Sequence, residues 1–517
     1  MDLLKKTITY GTGGECLTTQ LTFDDDINVS DQNADIRNIV MQSGHVHVDE
    51  IRSGGGKIRM SGHLEFSVLY TSEEHGELSC IHGDFAFEDT VNYDGCKDGE
   101  KVTVLWSMED LSAQMIHPRK MNVKAVVTFN LYPICLRQEE PAVGVSYPSD
   151  AETLAVTEQF TGLQICGKDT LRIKELFDLP GGKPDIDRVI FQNLRLHNVK
   201  TRAENGFLSI SGDLSLFLMY RSADDHMPIQ WVERQIAVGG QIESPHITDL
   251  MLSASCVQLA HTEISAEEDE DGEMRQISVE AVLQCDLILF EEQRMEFLED
   301  VYMPEMEFSI TRPETDMIVL DSCNDSRMKM NFNMPLHAQK PLVQIIDVEA
   351  AVKVEDYHPG EDGLVLEGVI SVELLYQQAD QENPYDSRHQ EYPFSYIVQS
   401  QNGGNAGHSE LLRISSSVEQ VNAVLAGADE VEIRLTAGFC IAFCSKKSIR
   451  MITEIDMKPV PAEKIDNMPG IAGYVVRPQD TLWSVARKFY VSLASVREVN
   501  ELNSDELKPG QKLLIVK

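Results

Sequence analysis

Slid against itself by 150 residues, the chain matches itself, and this internal repeat limits what it can fold into more than any other feature. Ser61-Gly62-His63-Leu64-Glu65-Phe66-Ser67-Val68-Leu69-Tyr70 falls on Ser211-Gly212-Asp213-Leu214-Ser215-Leu216-Phe217-Leu218-Met219-Tyr220. Asp35-Ile36 keeps the same register with Asp185-Ile186. Glu367-Gly368-Val369-Ile370-Ser371-Val372-Glu373-Leu374-Leu375-Tyr376 is a third copy, about 156 residues further on. A chain of 517 residues is too long for a single core, and three modules of near-equal length divide most of it.

After each glycine the apolar residues alternate (Leu64, Phe66, Val68), which is the period of a half-buried strand. A second such run closes each copy: Val123 to Leu131, Ile277 to Phe290 and Val431 to Phe443. Helical spacing is weak, so the expected class is mainly β, with three tandem β-rich, sandwich-like repeats over 15–145, 160–303 and 325–460. Gly62, Gly212 and Gly368 are expected at a bulge or a close backbone approach. Tyr70, Tyr220 and Tyr376 are expected to pack at strand ends. The acidic run Glu267 to Glu273 lacks the ligand spacing of a calcium loop and reads as a solvated hairpin loop.

The repeated G-x-[LI]-x-[FLV]-x-[VL]-[LM]-Y pattern, preceded by an extended segment, resembles the SPOCS domain of spore-coat-associated proteins in endospore-forming bacteria. The resemblance covers roughly residues 15–460.

Residues 473–517 follow a different rule. Gly473 to Val476 reads as a short strand. Asp480 or Thr481 can cap a helix whose apolar face is Leu482, Val485, Ala486 and Phe489. Ser492 caps a second helix with Leu493, Val496 and Val499 inward, and after the turn Leu507-Lys508-Pro509-Gly510-Gln511 the segment Lys512 to Val516 returns as a strand. This order of strand, helix, helix, strand, together with Asp480-Thr481-Leu482-Trp483, Asn500-Glu501-Leu502 and Leu507-Lys508-Pro509-Gly510, closely resembles the LysM domain, a small α+β (βααβ) unit. In that family N-acetylglucosamine glycans lie between the loops flanking the two helices. Carried over, the groove comprises Arg477, Gln479, Asp480 and Thr481 on one side and Leu502 and Asn503 on the other. The family usually has glycine where this chain has Gln479, and a side chain there narrows the groove or strains the loop. Trp483 reads as partly buried against the sheet rather than as a sugar platform.

The formal charge is −40, which disfavours nucleic acid as a partner. The LysM-like segment, with seven Lys/Arg against five acids, departs from this at a net +2. Arg487, Lys488 and Arg497, with Arg477, are therefore the candidate electrostatic contacts, and Arg487 and Lys488 are expected to point to solvent. No stretch of 18 apolar residues predicts a transmembrane segment, and the opening residues lack the apolar core of a secretory signal. Ten scattered cysteines without a CxxC pair fit reduced thiols. The common phosphate, dinucleotide, zinc-hydrolase and serine-hydrolase motifs are missing, so no catalytic residue, cofactor or metal is expected. His45-Val46-His47 puts two imidazoles on one strand face, but no third ligand lies at a readable distance.

The combination resembles the SPOCS–LysM spore morphogenetic proteins. The resemblance implies a non-enzymatic adaptor in the mother-cell cytoplasm, at the forespore or spore coat surface, which binds a spore coat morphogenetic protein (a SpoIVA-type ATPase) through its LysM domain. Binding of peptidoglycan glycan in spore cortex or cell wall is the alternative.

Overall fold

The computed structural model describes residues 2–516 apart from 32, 74–76, 95–99, 149, 225, 305, 337–339, 381–382, 400–410, 428 and 462–468. Two short strands come first, β1 (Asp2–Lys5) and β2 (Ile8–Gly13). The first module then runs through β3 (Leu17–Asn28), β4 (Ile36–Gly54), β5 (Lys57–Ser72), β6 (Leu78–Asn92), β7 (Lys101–His117) and β8 (Lys120–Glu139), followed by β9 (Ala142–Tyr147). The second comprises β10 (Glu152–Asp178), β11 (Ile186–Glu204), β12 (Phe207–Ser222), β13 (Ile229–Glu243), the two-residue β14 (Leu252–Ser253), β15 (Cys256–Glu268) and β16 (Met274–Tyr302). After β17 (Met306–Thr311) come β18 (Glu314–Pro335), β19 (Leu342–Pro359), β20 (Gly363–Gln378), β21 (Tyr385–Gln399), β22 (Leu411–Leu425), β23 (Glu430–Arg450) and β24 (Glu454–Pro459).

Each module is a sandwich of two antiparallel three-stranded layers with the same order. One layer is β4-β5-β6, β11-β12-β13 or β19-β20-β21; in the other the last strand lies between the first and the fifth, as β3-β8-β7, β10-β16-β15 or β18-β23-β22. Alternate residues of both layers face inward, as the period-2 pattern requires. In the first module Val46, Ile58, Met60 and Leu64 meet Ala125, Val127, Phe129 and Leu131 in one core. The acidic run forms the β15–β16 hairpin turn, in which the Asp269 carboxylate accepts from the Asp271 and Glu273 amides.

Gly62, Gly212 and Gly368 occupy one place in β5, β12 and β20, opposite a bulge in the preceding strand. A Cβ on Gly62 would lie 2.0 Å from the His47 carbonyl oxygen and one on Gly368 2.0 Å from that of Lys353, whereas on Gly212 it would lie 3.1 Å from that of His197. Gly62→Ala and Gly368→Ala should each destabilise the protein by about 1–3 kcal/mol, the scale of overpacking where backbone must give way, and Gly212→Ala by less. Thermal melts of the three variants check the order, and a Gly212→Ala variant at least as unstable as the others contradicts it. The tyrosines eight residues on are fully buried. The Tyr70 and Tyr220 hydroxyls each donate at 3.0 Å to the carbonyls of Ala34 and Pro184; that of Tyr376 donates instead to the Asp386 carboxylate, 3.2 Å away.

The residue just before each bulge also links modules. His47 of the first donates to the Ala260 carbonyl on β15 of the second. His197, its equivalent, donates to the Val418 carbonyl on β22 of the third at 2.7 Å. Lys353, equivalent again, pairs with Glu109 on β7 of the first. Three head-to-tail contacts close a ring, an intrachain counterpart of a cyclic trimer. Equivalent apolar residues meet at its centre: Val40, Ile190 and Ile346, with Leu69, Met219 and Leu375.

The outer strands continue beyond the sandwiches into a stem of three ribbons. β2 pairs with Ile134–Glu139 of β8, Glu152–Leu163 of β10 with Phe290–Tyr302 of β16, and Glu314–Leu320 of β18 with Cys444–Arg450 of β23. Ile8, Tyr10, Phe160, Phe297, Met317 and Ile449 pack between the ribbons. At the far end the β1/β9 and β17/β24 pairs join the layer containing Ala142, Leu298, Val301 and Ile455.

Candidate functional site

The C-terminal unit is strand, helix, helix, strand: β25 (Ile471–Val475), α1 (Leu482–Phe489), α2 (Leu493–Val499) and β26 (Lys512–Val516), with β25 and β26 antiparallel. Thr481 caps α1 in a box with Ser484, and Ser492 caps α2. Leu482, Val485, Ala486 and Val496 are buried against Leu513 and Ile515. The Asn500 side chain joins the end of α2 to β26, donating to the Leu514 carbonyl at 2.7 Å and accepting from its amide at 2.6 Å.

Gln479 has φ 75°, the left-handed conformation that suits glycine, and its side chain is exposed. Asp480 turns inward, accepting from the Tyr474 hydroxyl at 2.6 Å and the Arg477 amide at 2.7 Å, and these two bonds hold its carboxyl below the usual range. Arg477, Thr481 and Asn503 are exposed, and Leu502 packs on the module's core. Arg497 is tied within the module by two 2.8 Å bonds to Asp505, which braces the loop after α2. Lys488 is exposed, its ammonium 4.8 Å from the Tyr474 ring centroid.

Arg487 departs from the expected solvent-facing position. Its guanidinium is bound at 2.5 Å to Asp300 at the end of the stem, and the same carboxylate accepts from Trp483 Nε1 at 2.8 Å and from Arg312 at 2.7 Å. Trp483 is partly buried, as expected, but the surface it meets belongs to the stem, with Tyr302 edge-on at 4.8 Å. The Tyr302 hydroxyl donates to the Val491 carbonyl at 3.1 Å, and Glu152 accepts from the Leu493 amide at 3.2 Å. Burial pushes the Tyr302 hydroxyl well above the ordinary tyrosine range. The module is thereby docked on the stem through one face of α1 and the turn before α2. Spacing along the chain carries no sign of this dock, because Asp300 lies 183 residues before Trp483.

A cavity of about 2580 Å3 lies among the three modules, with Trp106, Arg195, His197, Lys353 and Arg413 on its walls. His45 and His47 reach it from β4, each donating across the seam to the second module, at Leu259 and Ala260.

Fold and site together define a tandem β-sandwich scaffold that carries a small α+β domain on its stem. Comparison with family models supplies the names: residues 35–116 and 342–426 match the SPOCS domain of SipL, and residues 474–516 match the LysM domain. The chain is thus similar to the SPOCS domain of SipL over parts of its first and third modules, and its C-terminal unit matches a LysM domain. The matched SPOCS segments span β4 to β7 and β19 to β22; β11 to β15 repeat their arrangement in the middle module. No curated protein and no solved structure matches the chain. Among the described residues no helix is long and apolar enough to cross a membrane.

Proposed function

We propose that the protein is a non-enzymatic adaptor of spore coat assembly, which works at the forespore surface from the mother-cell cytoplasm and binds a SpoIVA-type coat morphogenetic protein through its LysM domain. The observation that carries this reading is the dock at Asp300 and Tyr302, which seats the LysM domain on the stem of the three-module body and leaves Arg477, Gln479, Lys488 and Asn503 exposed. A domain held in one orientation spends less entropy on engaging a partner. Peptidoglycan binding is the second reading, favoured by the LysM match itself. The exposed Gln479 side chain, at a backbone position suited to glycine in the proposed sugar groove, weighs against it.

Arg487 and Arg497 are engaged within the protein, so the electrostatic contact falls to Arg477 and Lys488. Arg477→Glu with Lys488→Glu should keep the fold, since exposed substitutions usually shift stability by under about 0.5 kcal/mol. Association with the coat protein should slow, and wild-type association should weaken as salt rises. Pull-down of the full chain from sporulating cells, set beside sedimentation with purified peptidoglycan, tests the reading. Retention on peptidoglycan with no coat protein captured overturns it.

A further inference from the structure

On the first module, where it abuts the second, the strand register gathers three groups that the sequence scatters. His47 on β4 lies opposite His63 on β5, and Glu65 follows two residues later on the same face. The Nδ1 atom of each histidine is engaged. That of His47 contacts the Ala260 carbonyl oxygen, and that of His63 contacts an Asp49 carboxylate oxygen at 3.2 Å. A carbonyl and a carboxylate oxygen accept, so both Nδ1 atoms carry the proton, and in a singly protonated ring each Nε2 turns a lone pair the other way. Both lone pairs face one carboxylate: His47 Nε2 is 3.2 Å from Glu65 Oε2, and His63 Nε2 is 3.5 Å from Oε1. His47 is 6% exposed, and among the described residues its Nε2 has no hydrogen-bond partner of good geometry. Acceptors facing acceptors repel unless something positive lies between them.

We propose that His47, His63 and Glu65 form a binding site for a divalent metal ion of the zinc type. A tetrahedron with zinc–nitrogen and zinc–oxygen bonds near 2.05 Å has edges of about 3.3 Å, close to the 3.2 Å between His47 Nε2 and Glu65 Oε2; the 3.5 Å from His63 Nε2 runs to the other oxygen of the same carboxylate. One ligand atom from each of the three residues lies within 4.8 Å of the others, so small rotations complete the set. Two imidazoles and a carboxylate suit zinc and leave a fourth position, reached past the partly exposed His63 and Glu65, for water. Ala260 and Asp49 are the outer partners that metal-bound histidines normally have, fixing tautomer and ring orientation.

The other modules serve as internal comparisons. The positions equivalent to His47, His63 and Glu65 are His197, Asp213 and Ser215 in the second module, and Lys353, Val369 and Ser371 in the third. Neither keeps the triad, and in the third the residue equivalent to His47 carries its own cation, paired with Glu109. A metal on the first module supplies positive charge at the equivalent seam and fixes the His47 ring that reaches Ala260.

The full-length protein, stripped of metal and titrated with Zn2+ by calorimetry, should bind one equivalent through this site and melt at a higher temperature when loaded. The Co2+ form should show d–d absorption without a sulfur charge-transfer band, which separates this site from the cysteines. Glu65→Gln and His63→Gln, at partly exposed positions, should keep the far-ultraviolet circular dichroism of the wild type and bind zinc at least about 10-fold more weakly, since even loss of an outer partner has that effect. Zinc affinity unchanged in both variants overturns the proposal. So does a metal-free protein that takes up no zinc and shows a doubly protonated His47 imidazole by 15N chemical shift at neutral pH, for then a proton bridges His47 and Glu65.

Discussion

Replacing Arg195 by leucine is expected to destabilise the protein by about 4 kcal/mol, within the range of about 3–5 for breaking a buried ion pair from one side. Arg195 on β11 reaches across the seam to β19, where its guanidinium meets Asp347 at 2.5 Å and Glu349 at 3.2 Å. Its side chain is 16% exposed and that of Asp347 9%, so water does little to rescue the carboxylates once the cation is gone. Asn193, donating to Glu349 at 3.0 Å, offsets only part of the loss. Burial already raises the Glu349 carboxyl with Arg195 beside it, and without Arg195 the pKa rises further. A carboxyl whose pKa is higher folded than unfolded costs stability above its folded pKa and nothing below its unfolded one. The deficit of Arg195→Leu should therefore shrink as pH falls from 7 towards 4.5. Urea unfolding of both proteins at two pH values checks size and sign, and a deficit that grows on acidification contradicts the buried-pair account. Replacing Arg195, Asp347 and Glu349 together by apolar residues should recover much of the loss.

The sandwiches were readable in the sequence because alternation within a strand is local, and so were the glycines, whose need for space against a bulged neighbour recurs at constant offset. The LysM order was readable from its caps and the apolar face of its first helix, with Thr481 and Ser492 where capping chemistry puts them, whereas Val499, expected inward on the second helix, is exposed. Closure into a ring was not. It depends on contacts such as His197 with the Val418 carbonyl, 221 residues apart, in which one partner is a backbone atom that any residue supplies. The stem is not legible for a related reason: β10 runs unbroken for 27 residues, so the alternation along it does not mark where the sandwich ends and the ribbon begins. The histidines show the same limit. His45 and His47 stand out by spacing, yet the groups that face His47 come from the neighbouring strand, which only the register brings alongside.

Asp300→Ala should release the LysM domain from the stem while leaving its fold intact. The carboxylate is 6% exposed and holds Arg312, Trp483 Nε1 and Arg487 at once, so its loss strands two cations and an indole N–H. Arg312 and Arg487 keep 36% and 41% of their side chains in solvent, which puts the cost at roughly 3 kcal/mol, the low end for a broken buried pair. The rest of the dock, the Tyr302 and Trp483 rings with the bonds from Tyr302 to the Val491 carbonyl and from the Leu493 amide to Glu152, remains and should hold the domain less firmly without the carboxylate. The LysM core of Leu482, Val485, Ala486 and Val496 with its β-sheet has no part in this carboxylate network, so the freed domain should keep its own melting transition. Calorimetry should resolve that transition from the one of the three modules, where the wild type melts with the two coupled. Release also separates two ways of using the recognition face. If the dock serves to orient the domain, as proposed, Asp300→Ala weakens capture of the coat protein although every exposed residue of the LysM domain is unchanged. Capture that strengthens instead would mean that Trp483 and Arg487 are themselves the contact residues, masked by the stem until a partner displaces it.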